Sequence, residues 1–232
     1  MDSAAELAVA LMLSADPDLI EIVWLSLKVS LSAVFLSCLV GMPLGAFLAT
    51  TSFAGRGGVI VIVNALMGLP PVVVGLMVYL ALSRSGPMGF LGLLYTPTAM
   101  IIAQTLLIAP IVTALSRQVL EDMYGEYRSF FRSIGLRKDQ TILALIRDAR
   151  LALVTVALAG FGRATAEVGA VMIVGGNIDH LTRVMTTAIA LETSRGNLAL
   201  AMALGLILML LALVVNALAH GLRLSTTRLS SV

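Results

Sequence analysis

The stretch GGVIVIVNALMGLPPVVVGLMVYLAL, Gly57 to Leu82, decides the fold. It carries no charged residue, and a helix crosses a bilayer in about 20 mainly apolar residues. Its middle, however, holds Pro70 and Pro71 side by side. Proline removes a backbone donor and breaks a helix, and in lipid such a break is tolerated only where neighbouring protein or a water-filled cavity satisfies the freed carbonyls. The segment therefore predicts both a membrane span and a bundle built around an interruption.

The rest of the chain agrees on the solvent. Of 232 residues 59% are hydrophobic and 12% charged, with a mean hydropathy of +1.02, whereas a soluble domain carries about 25% charged residues. Four more stretches are long enough to span: Ile22 to Ala49, Pro97 to Leu115, Leu151 to Val174 and Leu198 to Leu222. Residues 22–222 thus form a five-span transmembrane domain, with Pro110 and then Gly160, Gly162 and Gly169 as further expected interruptions. Residues 1–21 precede it. There Ala4 to Ser14 is too short to span and is stopped by Asp16, Pro17 and Asp18, which predicts a helix on the membrane surface or against the bundle. Five acids and no Lys or Arg in residues 1–21 do not suit a cleaved signal. Cys38 stands alone in an apolar run, which excludes an intrachain disulfide and reads as a small buried hydrophobe.

Charge orients the chain. Five spans put the termini on opposite faces. One face would carry Arg56, the seven basic residues between Ser116 and Arg150, Arg223 and Arg228; the other only Arg84, Arg183 and Arg195. Positive residues favour the cytoplasm, so the N-terminus is expected outside and the tail, 223–232, inside. Fifteen basic against thirteen acidic residues give no whole-chain case for nucleic acid.

Twelve charges gather in residues 116–150, the one segment with soluble chemistry. Met123, Tyr127, Phe130, Phe131 and Ile134 recur at helical spacing on one side, Gly135 suits a left-handed helix end, and Asp139 is a plausible N-cap for the next helix. The predicted loop is a short amphipathic helix, a glycine turn and a second helix returning to the membrane. Its aromatic stripe fits the headgroup layer or a groove on a cytosolic partner; spacing does not separate these.

A helix ending in Arg132, Ser133, Ile134, Gly135 resembles the cytoplasmic EAA loop of ABC-importer permeases, with Ser129, Phe130 and Phe131 in place of Glu-Ala-Ala. NALMGLPPVVVGL, Asn64 to Leu76, is similar to the Leu-Pro-Pro-Val-Val-x-Gly segment of oxyanion-importer permeases. The run GFGRATAEVGAVMIVGGNIDHLTRVMTTAIALETSRG, Gly160 to Gly196, resembles the tungstate type more than the molybdate or sulfate types. The resemblance implies an all-α polytopic membrane protein of the ABC-importer permease fold, moving tungstate, with a molybdate or sulfate permease as the alternative. It also implies a second copy of the chain, a cytoplasmic ATPase dimer docked on Tyr127, Phe130, Phe131, Arg132, Ser133 and Gly135, an extracytoplasmic oxyanion-binding protein, and an inner-membrane location in a prokaryote. ATP and magnesium would belong to the ATPase. No cofactor or metal is expected here: the lysines, Lys28 and Lys138, follow Leu27 and Arg137, so no P-loop can form, and His180 and His220 make no zinc motif.

Within the fourth span Arg163 and Glu167 lie four apart and are expected to share a helix face. An intramembrane charge costs at least about 2.5 to 3.5 kcal/mol, so the two either neutralise each other to lock helices or line the gate. Glu167 would repel an oxyanion, so it suits holding Arg163, Thr165 or backbone rather than binding. Lys28 can snorkel to the outer interface. Gly169, Gly175, Gly176 and Asn177 allow close helix approach or an anion near backbone N–H groups. Beyond them 181–194 reads as an amphipathic helix whose Thr182, Thr186, Thr187 and Thr193 could pass an oxyanion on, or that simply covers the pore mouth. Pro70, Pro71, Arg163, Glu167, Gly169, Asn177 and Thr186 are thus the expected pathway residues. The rival reading, a secondary transporter driven by an ion gradient, would usually show inverted repeats and coupling carboxylates; a scaffold would have no use for the paired prolines.

Overall fold

The computed structural model describes residues 2–14 and 16–229, and these form ten α-helices with no strand among them. They are α1 (Asp2–Leu13), α2 (Pro17–Thr50), α3 (Arg56–Met67), α4 (Pro71–Leu82), α5 (Pro97–Ser133), α6 (Lys138–Asp148), α7 (Arg150–Thr165), α8 (Gly169–Gly175), α9 (Met185–Arg195) and α10 (Leu198–Leu229). Three of them, α2, α5 and α10, are long and apolar enough to cross a membrane, and the number rises to five if each of the broken pairs α3–α4 and α7–α8 is one span. Trp24, Leu31, Phe35 and Leu39 leave an exposed apolar stripe along α2, a surface that lipid covers without cost.

Not every expected interruption is a break. Pro110 lies inside an unbroken α5, as Pro43 does inside α2. Each proline forfeits one backbone hydrogen bond, which a helix of this length survives. Gly160 and Gly162 are likewise inside α7. Chain breaks do occur at 68–70, where Pro71 opens α4 in the first-turn position that suits its missing N–H, and at residues 166–168, directly before the expected interruption at Gly169, where the chain turns by 62° between α7 and α8.

The chain sorts into two compact units. One comprises the chain up to Ala33, Pro70–Thr105 and Gly162–Val215. Its core joins Ala8 of α1 with Leu19, Ile22, Met185, Ala188, Ala203 and Leu204, so α1 rests against helices, one of its two expected positions. In the same unit α4 packs on α8 at a glycine contact: a Cβ on Gly75 would lie 2.7 Å from the Ala170 Cα, and one on Gly169 2.8 Å from Val72 Cγ2.

The second unit comprises Val34–Leu69, Leu106–Phe161 and the chain from Asn216 on. Gly41 and Gly45 of α2, a G-x-x-x-G pair, lie against α5, where added Cβ atoms would come 3.0 Å from the Ala109 carbonyl and 2.8 Å from that of Thr113. Small residues let helix backbones approach where lipid gives no hydrophobic drive for association. A second core holds Ala46, Ala49, Leu120, Leu145, Ala149 and Leu153. Near it Glu121 accepts from both Arg56 (2.7 Å) and Arg117, and Arg56 also donates to the Leu48 carbonyl at 2.8 Å.

Gly75→Ala should lower the melting temperature of the detergent-solubilised protein, by a destabilisation of about 1–3 kcal/mol. Gly205→Ala, whose Cβ meets open space, should leave it unchanged in the same melt.

Candidate functional site

The site is built on the break in the fourth span. α7 stops at Thr165, so the Ala164 carbonyl has no helical donor four residues on; it accepts instead from the Glu167 N–H (3.3 Å) and from Gln104 Nε2 of α5 (3.1 Å). The Glu167 carbonyl, inside the break, accepts from Thr186 Oγ1 of α9 at 2.8 Å. Side chains from two other helices thus supply donors that an unbroken helix would have furnished itself.

Arg163 and Glu167 do pair, but not across a helix face. Glu167 lies beyond the end of α7, and the turn carries its carboxylate back so that Arg163 Nη1 donates to Oε2 at 2.6 Å. The other oxygen accepts from the Ala170 N–H at 3.2 Å, satisfying one donor of the first turn of α8. Glu167 is 4% exposed and Arg163 35%, so the carboxylate depends on this contact far more than the guanidinium does. Ser26 of α2 completes the cluster, donating to the Ile22 carbonyl (2.6 Å) and accepting from the Met185 N–H (2.7 Å) at the start of α9. Between them lies a cavity of about 10 Å³, the room of a single water. No tetrahedral oxyanion fits there in this conformation.

The other expected pathway residues serve the frame. Pro70 and Pro71 start α4, and Gly169 starts the α8 on which it packs. Asn177 donates to the Thr187 carbonyl at 3.3 Å, away from Glu167. Gly176, at φ 71°, caps α8 beneath the Tyr95 ring, and Gly175 packs on Met100, so close approach accounts for these glycines. The expected helix at 181–194 begins only at Met185, because Thr182 ties the preceding turn, donating to the Gly175 carbonyl (2.6 Å) and accepting from the Ile178 N–H (2.9 Å). Thr187 caps α9. With Thr182, Thr186 and Thr187 bonded to backbone, no free row of these hydroxyls exists to hand an anion along. His180 Nδ1 in that turn donates to Glu21 Oε2 at 2.9 Å, and this hydrogen bond, with the charges of Glu21, Asp179 and Asp18, raises its pKa above the usual 6.5.

The aromatic stripe belongs to α5 itself, which runs through to Ser133 without the separate helix expected. Its residues divide. Phe131 packs on the Leu145 core, while Phe130 (57% exposed) and Tyr127 (39%) face outward. Gly135 takes φ 67° after the helix end, and Ser133 Oγ donates to the Phe130 carbonyl at 2.8 Å. The Arg132 side chain lies outside the described residues. Asp139 is not the N-cap of α6: Arg137 holds that place, its N–H donating to Gln140 Oε1 at 3.0 Å, and Asp139 sits in the first turn.

Pattern reading missed Gln104 and Ser26, which have no charge to betray them. It also missed Glu192, which is buried and receives Arg195 (3.2 Å) and Asn197 (2.9 Å) at the end of α9.

Half-helices meeting at a buried polar break, beside an extended helix with an aromatic face, are the parts of a transport protein's membrane subunit. The profile of binding-protein-dependent transport system inner membrane components matches residues 41–226, and the chain belongs to that family. Among its relatives, the tungstate uptake system permease protein TupB of Peptoclostridium acidaminophilum is 41% identical over 93% of this chain and 95% of its own. TupB of Campylobacter jejuni is 42% identical over 70% and 68%. The molybdenum transport system permease protein ModB of Azotobacter vinelandii is more distant, at 29% over 71% and 76%.

Arg163→Met should strand the Glu167 carboxylate and lower the melting temperature. The double variant Arg163→Met, Glu167→Leu should recover part of the loss, since a buried unpaired charge costs more than a pair removed whole. Additive losses would show that the two side chains are not coupled.

Proposed function

We propose that this chain is the membrane subunit of an ATP-driven importer that carries tungstate into the cell, working as a pair of copies. A cytoplasmic ATPase dimer would dock on the exposed face of Tyr127 and Phe130, and an extracytoplasmic binding protein would deliver the oxyanion. The observation that carries the substrate is the identity to tungstate permeases, 41% across nearly the whole of one of them, against 29% to the molybdenum permease. Ten basic residues on the face holding 116–150, against three on the other, favour a cytoplasmic C-terminus and docking from within.

In this reading the gate is the break between α7 and α8. ATP-driven closure of the partner displaces the end of α5, and rigid-body motion of packed helices shifts the half-helices α4 and α8 against their neighbours. Arg163 and Glu167 keep the carboxylate neutralised while the path is shut and separate as it opens. Glu167 acts on protein groups, because its charge opposes an anion.

Two experiments bear on this. Reconstituted with its ATPase and binding protein, the chain should import tungstate only with ATP, and molybdate should compete less well for the binding protein than tungstate. Uptake that follows a proton gradient and ignores ATP would overturn the reading. Tyr127→Ala with Phe130→Ala should abolish co-purification of the ATPase with a smaller loss of melting temperature than Phe131→Ala, since both rings are largely outward and touch the core only through Phe131. Phe131→Ala, which empties part of a core, should lower it by an amount typical of a large aromatic truncation, about 3–5 kcal/mol at full burial and less here.

A further inference from the structure

We infer that Gln104, through its hydrogen bond to the Ala164 carbonyl, is the positioning residue that latches the broken fourth span in the shut conformation. The inference rests on the gate reading above and adds the group that holds the gate closed. From Pro97 to Leu115 Gln104 is the one side-chain amide, the other polar residues being threonines, and it is 3% exposed. Burying an amide is costly unless its atoms are bonded. One half of it is used: Nε2 donates at 3.1 Å to the carbonyl that the end of α7 leaves short of a donor. The other half is not, since Oε1 is buried with no protein donor.

Gln104 lines the small cavity together with Ser26, Ser30, Thr165, Glu167 and Thr186. That cavity has the room and the polar lining for one water, which can donate to Oε1. A helix locked for good would be served better by a fully bonded or an apolar residue. An amide with one strong bond and one hydrated face can instead exchange its partner for water at little cost, because a direct hydrogen bond and a water-mediated one differ little in enthalpy. Gln104 therefore holds the break while the path is shut and releases it when α5 is displaced. The Arg163–Glu167 ion pair beside it supplies charge balance; the amide supplies the catch.

The test uses the complete permease–ATPase complex in lipid, in a Cys38→Ser background carrying Ser30→Cys as a reporter of access to the cavity. Gln104→Met keeps length and removes the amide. It should speed maleimide labelling of residue 30 about fivefold, the shift in a two-state equilibrium that one lost hydrogen bond produces. Oxyanion imported per ATP hydrolysed should fall by a similar factor while ATPase co-purification is retained. Should Gln104→Met fail to fold, Gln104→Asn, which keeps the amide but falls short of Ala164, is read by the same two measurements. A lowered melting temperature with unchanged labelling and unchanged coupling would reduce Gln104 to a structural hydrogen bond and overturn the inference, as would no change in any readout. Glu167→Gln, run in parallel, separates the two claims. If it alters coupling and the Gln104 variants do not, the gate stands and the latch falls; if the Gln104 variants act and Glu167→Gln does not, the latch stands and the ion-pair gate falls; if neither acts, both fall.

Discussion

Inside a bilayer every backbone carbonyl needs a donor from the protein, because lipid offers none. The fourth span violates helical continuity at residues 166–168, and the structure around it follows from that violation. Gln104 on α5 answers the Ala164 carbonyl, Thr186 on α9 answers the Glu167 carbonyl, and the Glu167 carboxylate answers the first turn of α8. That carboxylate in turn requires Arg163. A three-residue interruption recruits side chains from two other helices, and Ser26 of α2 in turn holds the start of α9 through the Met185 N–H.

The second dependency is steric. Half-helices cannot reach across a membrane by their own hydrogen bonding, so α4 and α8 stabilise each other through close contact at Gly75, Gly169 and Ala170. Gly41 and Gly45 play the same part between α2 and α5. In a solvent as apolar as the side chains, contact distance replaces hydrophobic burial as the source of helix association.

The sequence made the spans legible because 20-residue apolar runs have few alternative meanings, and the break at Pro70–Pro71 because proline acts locally. The other breaks were less so. Pro110 looks like a breaker and is not, whereas the fourth span breaks at 166–168, just before the flagged Gly169 and not at Gly160 or Gly162. Only tertiary partners make that end affordable, and partners 60 residues away leave no periodic trace. The pairing of Arg163 with Glu167 was readable from spacing, but its geometry was not. The split between Phe130 and Phe131 needed the second core, because adjacent residues on one stripe fall on different sides of its edge. Threonines at 182, 186 and 187 suggested a polar path, yet each is occupied with backbone.

The unbroken α5 has a mechanical consequence. Gln104 and Phe130 belong to one unbroken helix, 26 residues apart in sequence. A helix resists compression along its axis far better than bending, so α5 is stiff to an axial load. Pro110 lies between them; there one rung of the hydrogen-bond ladder is missing, which makes it the softest joint of the rod. Bending of α5 would therefore concentrate at Pro110, whereas an axial load would be carried by the intact rungs on either side of it.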